Sequence, residues 1–107
     1  MINEEEIKSN FSEITEILSI IDNKDDIYNF LRDLLSPKEI LEFSNRLQAA
    51  EMLAKKVTYS VIEKETGLSS TTVARVSKCL NGEMGGYRTI IGKLHHHSSL
   101  QTGKGSS

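Results

Sequence analysis

The chain has 107 residues, 26% of them charged and 6% aromatic, with a formal net charge of −2 and a sequence pI near 5.9. That length sets one domain with a small core, which a second chain could complete. The single cysteine, Cys79, excludes an internal disulfide framework and any CxxC metal cluster, and no apolar run reaches the roughly 18 residues of a membrane span.

The chain opens on MINEEEIKSN, with acids where a secretion signal places bases before an apolar stretch, so the protein is expected in the cytoplasm. From residue 4 to 21, Ile7, Phe11, Ile14, Leu18 and Ile21 step by 4, 3, 4 and 3, and Ile17 and Ile20 widen the stripe. This predicts an amphipathic helix, with Glu4, Glu5 and Glu6 at its positive end and more apolar face than a lone helix can carry. A second helix is predicted from Asp25 or Asp26 to Leu35, burying Ile27, Phe30, Leu31 and Leu34. Ser36-Pro37-Lys38-Glu39 is a helix start: Ser36 as N-cap, Pro37 at the first helical position and Glu39 closing a capping box. The helix it opens is expected to be the longest in the chain. Its inner stripe reads Ile40, Phe43, Leu47, Ala50 and Ala54, and Lys55-Lys56 suit its negative end.

Residues 58–80, TYSVIEKETGLSSTTVARVSKCL, read as two short helices joined by a glycine turn. Ile62, Leu68, Val73, Val76 and Leu80 can share one small core if the chain bends at Gly67, which needs a residue free to take positive φ. On the second helix Val73, Val76 and Leu80 form the inner face, which turns Thr71, Ala74, Arg75 and Lys78 outward. Ser69 stands at the N-cap, followed by Ser70, Thr71 and Thr72 in a first turn whose free N–H groups attract phosphate. This is the pattern of a DNA-reading helix-turn-helix, set against the plainer reading of a helical hairpin with a solvated face. The charge distribution supports DNA: residues 1–45 hold 4 Lys/Arg against 11 Asp/Glu, a balance of −7, and residues 46–107 hold 9 against 4, a balance of +5.

Past Leu80, NGEMGGY ends the recognition helix near Asn81-Gly82, and a last short helix is predicted to carry Tyr87, Ile90, Ile91 and Leu94. The stretch 95–107, HHHSSLQTGKGSS, is read as a disordered polar tail following one domain at 1–94. Its three histidines lack further ligands, so no metal site is assigned.

The segment from Leu34 to Leu80 resembles the Trp repressor superfamily, and within it the YerC/YecD group. The residues that carry the resemblance are the LLSPKE start, Arg46 seven residues after Glu39, Glu51-x-Leu53 before a basic pair, and Thr72-Val73-Ala74-Arg75 in the recognition helix. The resemblance implies an all-α chain of about six helices whose N-terminal helices interlock with those of a second copy in an intertwined homodimer. In the Trp repressor itself tryptophan lies between two arginines, and the resemblance puts Arg46 and Arg75 at the matching positions, with Ser36 where a threonine lies near the ligand amino group. Val76 stands where the repressor has a glycine that makes room for the indole ring. A branched side chain there argues against a tryptophan-like corepressor. Against a ligand role, Arg46 also stands four residues after Glu42 on its own helix, and Arg75 is placed to touch phosphate.

The expected function is a transcriptional regulator, a repressor by preference, reading double-stranded DNA with twofold symmetry through Ser69, Ser70, Thr71, Thr72, Ala74 and Arg75. Lys64 and Lys78, with Lys55 and Lys56, contact or steer toward phosphate. The rivals are a helix-turn-helix-shaped protein-interaction module without DNA specificity of its own, and an amino-acid-responsive repressor that needs a corepressor. An enzyme is not expected: the sequence has no paired-carboxylate signature, nucleophile triad or phosphate loop.

Overall fold

The computed structural model describes the backbone of residues 1–105 and the side chains of residues 1–96. It contains six helices: α1 (Glu4–Ile20), α2 (Lys24–Leu34), α3 (Pro37–Ala54), α4 (Tyr59–Thr66), α5 (Ser70–Leu80) and α6 (Gly86–Gly105), with no strand among the described residues. The all-α, six-helix expectation therefore holds. The chain divides into two compact units, Met1–Ile40 and residues 41 onward.

In the first unit α1 starts at a full capping box that the sequence reading passed over. The Asn3 side chain accepts from the Glu6 N–H at 2.8 Å, and the Glu6 carboxylate accepts from the Asn3 N–H at 3.4 Å. No residue of α1 is buried; Ile7, Phe11, Leu18 and Ile20 of the apolar stripe are exposed, Phe11 by 55%. On α2, capped by Asn23, Ile27, Phe30 and Leu31 are half-buried and Leu34 is exposed, so the expected burial is only partly met within this unit. Burying that surface would stabilise the chain at roughly 25 cal/mol per Å². The start of α3 is as read: the Ser36 N–H donates to the Glu39 carboxylate at 2.8 Å, and Ser36 Oγ accepts from the Glu39 N–H at 3.2 Å.

The second unit packs around Ala49, Ala50, Ile62, Val73, Val76, Leu80 and Ile91, with Met52, Leu53, Val57, Leu68 and Tyr87 against them. Two features of the predicted α3 stripe are corrected. Ala54 is exposed and Ala49 is buried in its stead, because Ala49, Ala50 and Leu53 follow i, i+1, i+4 toward the helix-turn-helix and rotate the stripe away from Ala54. Phe43 is exposed.

α3 ends in a Schellman motif. The Val57 N–H donates to the Met52 carbonyl at 3.0 Å and the Lys56 N–H to the Leu53 carbonyl at 2.9 Å. The left-handed position belongs to Lys56, at φ 66, where glycine is the usual occupant. Side chains raise the energy of that conformation by roughly 1–2 kcal/mol. Lys56→Gly should therefore raise stability by about 1 kcal/mol, less the entropy that glycine adds to the unfolded chain. Thermal unfolding checks this, and a lower Tm for the variant would show that the lysine stem contributes more packing than the strain costs.

The α4–α5 turn is as read. Gly67 takes φ 77 and donates to the Glu63 carbonyl at 2.8 Å, and a Cβ built there would meet nothing within 4 Å, so glycine serves the backbone angle rather than clearance. Beside it is Thr66, the one buried polar residue among those described. Its hydroxyl donates to the Ile62 carbonyl at 2.7 Å and accepts from the Leu68 N–H at 3.2 Å, joining α4 to the turn.

α6 differs from the expected short helix. It has 20 residues against 18 in α3, so it and not α3 is the longest. The docked residues Tyr87 and Ile91 set its first turns, and residues 93–102 contain neither glycine nor proline to stop the backbone after Leu94. The expected tail at 95–107 lies mostly outside the described side chains.

Candidate nucleic-acid interface

The recognition element is built from its cap. Ser69, in extended conformation, accepts from the Thr72 N–H at 3.1 Å through its Oγ, and the two hydroxyls lie 3.1 Å apart. From that start Val73, Val76 and Leu80 turn inward and are buried. Ser70, Thr71, Ala74, Arg75 and Lys78 are all exposed, as the period of 3.6 requires once the inner face is fixed. Two of the expected contact residues stand differently: the hydroxyls of Ser69 and Thr72 are engaged with each other, and Thr72 is half-buried. α5 carries two cations and no acid. On α4, by contrast, the exposed Lys64 stands between Glu63 and Glu65, so the cationic surface of this motif comes mainly from α5 and from the exposed Lys55 and Lys56.

The three residues placed at a ligand by resemblance have separate local partners or none. Ser36 is the cap of α3. Arg46 forms a hydrogen-bonded ion pair with Glu42 one turn back and lies over the Phe43 ring, 5.6 Å from its centroid. Arg75 is exposed and forms no ion pair among the described residues. Val76 is 3% exposed, so its branched side chain is part of the core. Near Arg46, burial pushes the Tyr87 hydroxyl above its ordinary range; charge on Cys79 adds to this and the Arg46 guanidinium opposes it. An open apolar groove of about 950 Å³ runs past Leu47, Cys79, Met84, Tyr87 and Ile90.

The Ser36 cap has a measurable consequence. The Ser36 N–H, then its hydroxyl, hold the Glu39 carboxyl below its ordinary range. A depressed folded value means that the cap stabilises α3 fully above the ordinary Glu range and that this contribution fades as pH falls through the lowered value. Carboxyl NMR should show Glu39 titrating below the ordinary glutamate range; a midpoint within that range would show that the capping box is not maintained in solution.

Among the described residues no group of His, Cys, Asp or Glu is placed to hold a metal, and no helix is long and apolar enough to cross a membrane. His95 and His96 are exposed, and the side chain of His97 is outside the described set.

The family model described as Trp repressor protein matches residues 9–95, all six helices included in whole or in part. The chain belongs to the Trp repressor family. Its members are DNA-binding regulators, not enzymes. Over 88 residues the chain is 35% identical to the uncharacterised protein YerC of Bacillus subtilis (strain 168), covering 80% of this chain and 85% of that one. In structure it is similar to a candidate Trp repressor from Staphylococcus aureus, with a TM-score of 0.77 at 29% identity over 89% of this chain and 96% of the other. A TrpR-like protein from Eubacterium eligens gives 0.75 at 30% identity, over 87% and 96%. The membership places the helix-turn-helix of residues 58–80 in a family that uses this element on DNA.

Proposed function

We propose that the protein is a homodimeric transcriptional repressor that sets α5 of each copy into successive major grooves of a twofold-symmetric operator, without a tryptophan-like corepressor. The observation that carries this is the division of α5 into a buried face of Val73, Val76 and Leu80 and an exposed face of Ser70, Thr71, Ala74, Arg75 and Lys78, which holds two cations and no acid. Short hydroxyls and an alanine let the helix backbone approach the base edges, and Arg75 has the fork that reads guanine through O6 and N7. Lys78, Lys64 and Lys55 serve the phosphates. The exposed apolar stripe of α1 supplies the dimer surface, and two heads related by a twofold axis ask for half-sites about 34 Å apart. Val76 fills its own slot in the core, so the recognition helix needs no indole ring to hold it in place.

The test is selection of DNA fragments by the purified protein at about 150 mM salt with no added ligand, alongside sedimentation of the free protein. The reading requires an enriched palindrome, an unchanged affinity when millimolar tryptophan is added, and a dimer mass. Absence of salt-dependent DNA binding under both conditions would instead favour a helix-turn-helix that serves a protein partner.

A further inference from the structure

A second concave site lies in the unit that holds the helix-turn-helix, between the end of α3, the start of α4 and the C-terminal half of α5. It has a volume of about 440 Å³, within the range of small-molecule sites. Its apolar side is Leu53, Val57 and Leu80; its polar side is Lys56, Tyr59, Ser77 and Arg88, with Asn81 beside them. No acid lines it. Two cations and two hydroxyls facing an apolar wall, with no carboxylate, make a site for an anion attached to an apolar body.

The backbone of one cation is strained, and the side chain of the other is fixed by a hydrogen bond. Lys56 occupies the left-handed position of the α3 Schellman motif, where glycine would be relaxed, and it has no ion-pair partner among the described residues. A strained residue whose charge lines a cleft and meets no ion-pair partner among the described residues points to a role for that charge. The Arg88 guanidinium donates to the Leu80 carbonyl at the end of α5, which fixes its direction. Gly85, at φ 70, gives it passage: a Cβ there would stand 3.1 Å from the Arg88 Nη2. One hydrogen bond to Leu80 leaves a guanidinium with further donors.

We propose that this cleft binds a phosphate monoester with a small apolar or aromatic body, the phosphate between Lys56 and Arg88 and the body against Leu53, Val57 and Leu80. Two cations match a dianion better than a monocarboxylate, and a phosphate monoester gains its second charge near pH 6. Binding therefore strengthens between pH 5.5 and about 7.5, as the second phosphate proton is lost. Ser77 and Leu80 belong to α5, so the occupant touches the helix that the proposed function assigns to DNA. The site itself does not depend on that assignment, and its test contains no DNA in the first arm.

Phenyl phosphate is titrated calorimetrically into the full chain, with phenol and inorganic phosphate as the separated halves. The expected result is a Kd below about 1 mM for the ester, weaker binding of either half, and loss of about tenfold for Lys56→Gly and for Arg88→Gln. Arg88→Gln also removes the bond to Leu80, so Lys56→Gly decides: it relaxes the backbone, and it should melt higher than the parent while binding the ester less. Wild-type affinity for the ester in Lys56→Gly, or no heat from the parent at several millimolar, overturns the proposal. A second arm measures DNA affinity against salt for the same variant. A silent ester combined with a salt slope reduced by about 1 would assign Lys56 to a backbone phosphate and overturn the small-molecule site.

Discussion

Ile62→Ala is expected to remove about 2–5 kcal/mol of folding stability, the largest loss from any single truncation in the helix-turn-helix core. Among the described residues Ile62 and Val73 are the largest side chains with no solvent exposure, and Ile62 has more atoms to lose. Four of the other six buried residues of its cluster are short: Ala49 and Ala50 on α3 and Val73 and Val76 on α5. Alanines and β-branched valines have little reach or rotamer freedom with which to fill a void, so the cavity should persist and the loss should fall toward the upper end. A chain of this size has roughly 5–15 kcal/mol in total, so the variant gives up a large part of its stability. Leu41→Ala serves as the control, since Leu41 is 64% exposed and surface truncations stay within about 0.5 kcal/mol. Urea unfolding followed by circular dichroism at one fixed protein concentration compares the two, the concentration being held because a dimer couples stability to mass action. Equal midpoints for Ile62→Ala and Leu41→Ala would mean that the helix-turn-helix core does not hold this unit together.

The helix-turn-helix was readable because each of its signals is local. The Val73, Val76 and Leu80 spacing fixes the buried face, Ser69 fixes the start, and Gly67 fixes the bend, each within a few residues. The Ser36–Glu39 box was readable for the same reason. What escaped depends on partners elsewhere or on residues in unusual places. The phase of the α3 stripe, Ala49 rather than Ala54, is set by the helix packed against it, which periodicity within α3 does not contain. Lys56 gives no sign in the sequence of its left-handed backbone, because glycine or asparagine is the residue that marks such a position. Arg88 reaches the Leu80 carbonyl eight residues back, beyond any helical repeat. Thr66 reads as an ordinary polar residue until the turn closes over its hydroxyl. Asn3 was the exception in being local yet overlooked: the run Glu4-Glu5-Glu6 reads first as charge at a helix start and only second as a box closed by Glu6. Of the candidate contacts, the exposed set of α5 follows from its inner face, whereas the mutual engagement of Ser69 and Thr72 became apparent only with the cap geometry.

Arg75→Ala should lower affinity for the best operator by about tenfold to a hundredfold, corresponding to roughly 1–3 kcal/mol for a bidentate arginine–guanine pair. Non-specific binding at the same salt should change far less, so the specificity ratio falls with it. Lys78→Ala makes the contrast: a residue on the same exposed face that neutralises phosphate should weaken all sequences alike and reduce the salt slope by about 1. Arg75→Lys separates the two kinds of contact within one position, since lysine keeps the charge and loses the planar fork. Recovery of specific binding by Arg75→Lys would assign Arg75 to a phosphate; continued loss of specificity with a normal salt slope would assign it to a base. The free side chain favours the second outcome. It forms no ion pair among the described residues and stands on the exposed face of α5 beside Ala74 and Thr71, whose small side chains let the helix sit deep enough for an arginine to reach a base edge. Fluorescence anisotropy with the selected palindrome and with a scrambled duplex, each at two salt concentrations, yields all the required affinities. If Arg75→Ala left the specificity ratio unchanged, sequence would have to be read by the hydroxyls of Ser70 and Thr71, through water, or by DNA shape alone.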